Sequence, residues 1–354
     1  MHCLKNINRI QINNQLMIKL FHLYEEKGRA YNYKELFSKD EHILANQVLE
    51  TNVQQLAFYL KLDLTDARIK LLSNLKRNYA TKNKDEVLLK NIKETLKMIH
   101  QTNDDFHLSV NEIKDLVTIL FRGYENIKFD KRGKSNNRKL VIPFEELSSE
   151  GQLEKIIELY HQIIRADKHE LLMVIFNFYV DFILIKPFNK YNELIALIII
   201  YTIIYSQFQV CRYDSFFKEL LEKQEVFQQA LTQARYDWEF GFSQIDSLVR
   251  VITDILLKMH FNVKEKKHIY IFDVKMNKQD NIEAIILRGP DVFTKNQIRK
   301  KVPLASESTI NRTLQLLKQK KVIAPLGKGR SAKWQRLSEK QKKFTIEQLT
   351  IFDN

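Results

Sequence analysis

The sequence predicts a mostly α-helical protein of two or three domains, and three observations carry that prediction. Glycine and proline are scarce, 8 and 5 among 354 residues, about 4% of the chain against a usual share near 12%. Turn-rich all-β, collagen-like and low-complexity architectures need far more of both. The most apolar stretch, Leu171–Tyr205, reads as two buried helices. It is interrupted by Asp181, Lys186, Pro187, Lys190, Asn192 and Glu193, and its unbroken part, Leu194–Tyr205, has 12 residues where a membrane span needs about 20. The formal charge of +14 is also unevenly placed. From Val292 to Asn354 there are 15 Lys+Arg against 4 Asp+Glu, net +11, which leaves +3 for residues 1–291.

Several function classes drop out at once. The eight glycines (28, 123, 133, 151, 241, 289, 327, 329) form neither G-x-G-x-x-G nor G-x-x-x-x-G-K, so dinucleotide and P-loop sites are excluded. Cys3 and Cys211 make no metal spacing and no disulfide framework, and residues 1–30 hold no signal-peptide core. A cytoplasmic protein with no membrane partner is expected.

Residues 1–105 read as a helical N-terminal region, with Arg77–Glu86 an exposed loop and Asn91–His100 a helix. Helices are then predicted over Val110–Phe121, Leu153–Ile164, Glu170–Ile185 and Asn192–Tyr205. A hairpin-like insert, Gly123–Leu140, carries Lys131, Arg132, Lys134, Arg138 and Lys139. Between the two most apolar helices lies Lys186-Pro187-Phe188-Asn189-Lys190-Tyr191-Asn192-Glu193. Proline lacks the amide hydrogen and clashes with the preceding turn, so the first helix must stop near Lys186. Asn192 is placed to cap the next helix.

This layout resembles the Fic (Fido) family over roughly residues 45–337. A helix, a flap hairpin, Pro143-Phe144, a helix and a buried helix precede a loop aligned with the motif H-P-F-x-[DE]-G-N-G-R. Downstream, Tyr213–Phe217 and Tyr236–Phe240 also look like Fic sequence. The resemblance implies a helical domain over 106–265 that moves AMP from ATP to a protein hydroxyl, with magnesium. The motif, however, is degenerate. Lys186 stands where the resemblance implies the histidine base, and an ammonium with an ordinary pKa near 10.4 cannot accept a proton at neutral pH. Lys190 replaces the acidic magnesium ligand. Tyr191 and Glu193 replace glycines whose bare backbone approaches phosphate. Leu194 replaces an arginine fork, and the family's later arginine falls on Leu197. Pro187, Phe188 and Asn192 survive, and their roles are in folding. No inhibitory [ST]-x-x-x-E-[GN] run precedes the motif. A pseudoenzyme is expected, with no cofactor; ATP and magnesium enter only if the site is active.

The basic C-terminal region reads as ordered. Asn281–Leu287 and Thr294–Lys301 read as helices, the second capped by Thr294. Ser306 caps a third, whose Ile310, Leu314 and Leu317 form one buried stripe. Val322–Leu326 and Ala332–Leu337 are strand-like, joined by Gly327-Lys328-Gly329-Arg330. That order resembles a winged helix-turn-helix over about residues 279–337, within a domain expected to span 266–337 ahead of a tail at 338–354. The resemblance implies DNA as partner. A helix fits the major groove, where Arg and Asn pair with base edges, and a basic wing lies on phosphate. The residues implied are Ser308, Thr309, Asn311, Arg312, Gln315, Lys318, Lys328, Arg330 and Lys333.

Other constellations are bland. No two of the nine histidines have the i, i+4 spacing of a helical zinc site, so no metal is expected. The expected function is a DNA-binding regulator whose Fic-like domain is an interaction or sensing module, and a homodimer would match palindromic half-sites. The alternatives are a residual adenylyltransferase and a protein-interaction scaffold in which the basic region meets an acidic partner.

Overall fold

The computed structural model describes residues 3–75, 79–102, 106–131, 144–275, 278–302, 305–327 and 332–337. It is mostly helical with one small sheet. The chain divides into two compact units, Met1–Val263 and Lys264–Asn354.

In the first unit a 3-10 turn, Cys3–Arg9, is followed by helices α1 (Asn14–Arg29), α2 (Tyr31–Leu36), α3 (Glu41–Tyr59) and α4 (Asp66–Ser73). Next come α5 (Lys84–Thr102), α6 (Val110–Leu120), α7 (Ser149–Ala166), α8 (Leu171–Ile185) and α9 (Asn192–Gln207). Two shorter helices, α10 (Phe216–Glu222) and α11 (Gln224–Ala234), lead to α12 (Asp246–Lys275), whose residues from Lys264 onward belong to the second unit. The centre is α8 against α9. Residues Leu172–Ile183 of α8 and Leu194–Tyr205 of α9 are buried on every side, as expected of helices with no polar face. Around them, α7 and the N-terminal turn pack on α8, α3 packs on α4, α5 and α10, and α6 lies between α5 and α7. No described helix is long and apolar enough to cross a membrane.

Two hydrogen-bonded clusters of polar residues lie inside this core. Asp181, on α8, accepts from the Cys3 and Leu4 amides at 2.7 and 3.0 Å and from Trp238 Nε1 at 2.7 Å. One carboxylate thus ties the N-terminal turn and the Trp238–Phe240 turn to the central helix. Burial raises its pKa from 3.8 to about 6, with the three donors pulling the other way. A second network joins His100 Nε2 to the Tyr201 hydroxyl (2.7 Å), Asn52 Nδ2 to the same hydroxyl (3.0 Å), and Ser215 Oγ to Asn52 Oδ1 (2.7 Å).

Helix bounds differ from expectation mainly at N-termini. Helix α7 begins at Ser149 because the Ser148 hydroxyl accepts from the Gly151 amide, a capping bond that starts the helix before its apolar stripe. Helix α5 begins at Lys84, inside the stretch expected to be an exposed loop. Glu86 is buried there, bidentate with Arg68 (Nε–Oε1 2.6 Å, Nη2–Oε2 2.8 Å), and those bonds hold its carboxyl below the usual range. A charge that finds its partner 18 residues away leaves no mark on local hydrophobic periodicity.

The second unit holds α13 (Lys278–Arg288), β1 (Val292–Thr294), α14 (Lys295–Lys301), α15 (Glu307–Gln319), β2 (Ile323–Pro325) and β3 (Lys333–Arg336). The sheet order is β1-β3-β2, antiparallel throughout, with Phe293 opposite Trp334 and Ala324 opposite Gln335. Strand β1 has no counterpart in the sequence reading. It is three residues long, too short for an alternation signal, and pairs only through β3. The core comprises Ile282, Ile286, Phe293, Ile298, Val302, Ala305, Ile310, Leu314, Leu317 and Ile323. Thr294 caps α14 in a capping box with Gln297, and Ser306 caps α15, both as expected.

Candidate functional site

Two places carry the expected chemistry, and the first is the loop between α8 and α9. Helix α8 stops at Ile185, and Lys186 (φ 49°) closes it in the left-handed conformation, its amide on Phe182 O. Proline then follows directly, as it commonly does after such a cap. Phe188 is buried, its ring stacked on Phe129 at 4.7 Å. The backbone around these two rings is joined as well. The Asp130 amide donates to Pro187 O (2.9 Å) and the Asn189 amide to Lys128 O (3.0 Å), while Asn189 Oδ1 accepts from the Lys128 amide at 3.1 Å. The first limb of the expected flap is therefore laced to the loop. Pro143 and the basic residues Arg132, Lys134, Arg138 and Lys139 lie outside the described residues, and Lys131 is exposed.

Asn192 requires a correction. It does not cap α9; it is the first residue of that helix, and Tyr191 (φ 58°) holds the cap position with no side-chain bond. The carboxamide of Asn192 instead turns back across the loop. Its Oδ1 accepts from the Phe188 amide at 2.9 Å and its Nδ2 donates to Phe188 O at 2.6 Å. One side chain replaces a backbone pair and fixes the bend. The capping expectation failed because a left-handed residue precedes the helix, which puts the Asn192 side chain on the inside of the turn.

The residues aligned with phosphate chemistry are otherwise engaged. Lys190 Nζ lies 3.4 Å from Glu125, and Glu193 accepts from Arg235 Nη2 at 2.8 Å. Tyr191 packs on Phe121 and Tyr124 at 5.1 and 5.8 Å between centroids. Leu194 and Leu197 are buried in the core. Lys186 is exposed, with no dry environment around its ammonium. Sequence reasoning missed Glu125, Arg235 and Phe129, since no motif signal links a loop to partners 42 to 65 residues away.

The second place is α15. Ile310, Thr313, Leu314 and Leu317 face the core, which turns Ser308, Asn311, Arg312, Gln315 and Lys318 outward, and all five are exposed. Thr309 is half-buried, its hydroxyl 2.8 Å from Ser306 Oγ at the cap. Lys333 is exposed on β3, and the neighbouring α14 exposes Arg299, Lys300 and Lys301. Lys328 and Arg330 lie outside the described residues.

The histidines meet in a pairing that spacing does not reveal. His107 and His161 stack at 4.7 Å, nearly parallel, and His161 Nε2 bonds Leu108 O at 2.7 Å. Among the described residues no three His, Cys, Asp or Glu side chains are grouped to hold a metal ion.

No protein-family model matches the chain, and no curated protein matches it. Solved structures do. A Fic family protein from Desulfovibrio desulfuricans G20 superposes over 93% of this chain and 98% of its own, at 14% identity and a TM-score of 0.55. A Fic domain containing signaling protein from Bacteroides thetaiotaomicron VPI-5482 matches 69% of this chain and 95% of its own, at 16% identity and a TM-score of 0.46. At 14% identity the first of these likenesses speaks for architecture alone, and the architecture of this chain is the Fic-like helical fold.

Proposed function

We propose that the protein is a DNA-binding regulator in which a winged helix-turn-helix, residues 266–337, is joined to a Fic-fold region that transfers no nucleotide and serves as an interaction or sensing module. The observation that carries the reading is α15, a helix whose core-facing stripe leaves a continuous polar and basic face outward in the most basic part of the chain. The sheet order β1-β3-β2 with three helices supports the winged-helix assignment. A basic, ordered surface of this kind favours a polyanion, and phosphate contacts supply most of the non-specific affinity.

In the Fic-fold region the residues present do not fit ATP and magnesium. By the family resemblance, a lysine paired to Glu125 stands in for the cation's carboxylate, and Glu193, bonded to Arg235, stands in for a glycine that would approach phosphate. The arginine positions hold leucines already buried in the core. Residues 1–105, 106–265 and 266–337 are read as the N-terminal region, the Fic-like domain and the DNA-binding domain.

Full-length protein is expected to bind duplex DNA in fluorescence anisotropy, with affinity falling steeply as salt rises, by a log–log slope of about 0.9 per phosphate contacted. Arg312→Glu should weaken that binding. No retention of any duplex at low salt would sink the proposal and hand the basic face to an acidic protein. Incubation with labelled ATP and magnesium is expected to leave every protein unlabelled. Label transfer that Lys186→Ala abolishes would restore the adenylyltransferase reading.

A further inference from the structure

We infer that the apolar crevice between α13, β1 and α14 is a docking site for residues 344–353 of this same chain. The inference concerns the second unit alone and does not depend on the DNA-binding reading.

The crevice holds about 350 Å³, counting its open mouth. Ile286, Phe293 and Ile298 are buried and make its floor, and Ile285, Gly289 and Pro290 complete an apolar lining. Only Gln297 and Lys301 bring polar side chains to it, and both are exposed. Arg288 and Lys300, each next to a lining residue in sequence, are exposed as well, so the mouth is basic. Leu287 and Val292, which adjoin the floor in sequence, are 44% and 42% exposed. Covering such carbon surface removes it from water, which is the dominant favourable term in association. The occupant this lining selects is apolar and carries carboxylates.

A segment of that kind follows β3. Residues 344–353 contain Phe344, Ile346, Leu349, Ile351 and Phe352, with Glu347 and Asp353 and no Lys or Arg. The rest of the chain from Val292 onward sets 15 Lys+Arg against only Glu307 and Glu339. The segment therefore suits both the carbon floor and the basic mouth. Its residues lie outside the described part of the chain, but its point of departure does not. Strand β3 ends at Arg336, whose amide donates to Asp291 O at 2.7 Å and whose guanidinium bonds the Asp291 carboxylate and Leu287 O. Asp291 adjoins Pro290, a wall of the crevice. Residues 338–343 can span about 20 Å at roughly 3.3 Å each, and the way back to Pro290 is shorter than that. So short a tether holds the segment at a local concentration of about a millimolar, which favours it over a second copy or a partner in solution.

The test is disulfide trapping in the full chain, whose own Cys3 and Cys211 are buried. Lys301→Cys is combined in turn with Thr345→Cys, Gln348→Cys and Thr350→Cys, polar positions between the apolar ones. At least one pair should close within the molecule about tenfold faster than the same tail cysteine pairs with Lys320→Cys, an equally exposed site outside the crevice. Adding Leu349→Asp and Phe352→Asp should bring closure down to that control rate, with circular dichroism confirming that the helices are intact. Equal rates at Lys301 and Lys320, or fast closure that survives the two aspartates, overturn the inference. Cross-links that form between molecules, and rise with protein concentration, overturn it in favour of a second copy in the crevice.

Discussion

Asp181→Ala is expected to destabilise the Met1–Val263 unit severely, because three donors lose their acceptor at a fully buried carboxylate. The Cys3 and Leu4 amides and Trp238 Nε1 all converge on that carboxylate. Each buried donor left unsatisfied costs about 1–3 kcal/mol, and the sum is a large part of an ordinary domain's stability of about 5–15 kcal/mol. Chemical denaturation should show the loss, with the N-terminal turn becoming sensitive to protease first. The same group makes a pH prediction with a definite sign. Burial lifts the Asp181 pKa from 3.8 to about 6, so the native state holds the proton more tightly than the unfolded chain. Its contribution is complete below about pH 4 and falls as pH rises through 6. Asp181→Asn removes the titration, so the stability gap between the native protein and this variant should narrow between pH 4 and pH 7. A gap that widens over that range would refute the assignment.

Phe188→Ala is expected to cost about 3–5 kcal/mol, the usual loss for a buried phenylalanine. The ring stacks on Phe129 and approaches Phe182 at 6.4 Å, so the truncation opens a cavity under the loop and frees the segment that Phe129 anchors. Hydrogen exchange should report it locally. The amides of Asp130 and Asn189, bonded across the loop, should exchange faster by far more than those of α9. Equal acceleration everywhere would mean that the loop is not a separate element of stability.

These two residues show how unevenly the sequence discloses the molecule. Helices α8 and α9 were legible because burial on all sides imposes an unbroken apolar composition, and α15 because half-burial imposes a stripe. Caps at Thr294 and Ser306 were legible because the bond is local. Asp181 looked like an interruption of an apolar run, since its donors come from residues 3, 4 and 238. Glu86 looked exposed for the same reason. Of the candidate site, Pro187 and Phe188 could be assigned to folding from sequence, but the action of Asn192 could not. A carboxamide that caps a helix and one that staples the loop before it are the same letter, and only the left-handed residue between them separates the cases. The pairing of Lys190 with Glu125 and of Glu193 with Arg235 depends on how distant segments are brought together, which no spacing rule encodes.

The left-handed backbone at Tyr191 has a consequence for how such a loop can change over time. An L-residue in that conformation costs roughly 1–2 kcal/mol, a penalty a glycine would escape, yet the bend persists with a tyrosine in it. Its shape is set from outside, by the proline and phenylalanine before it and the Asn192 carboxamide after it. Residues 189–191 are thereby spared the task of fixing the bend, although Asn189 still ties the loop to Lys128 and Tyr191 packs on Phe121 and Tyr124. A loop held by its flanks can exchange the side chains at its tip one at a time without the two central helices moving.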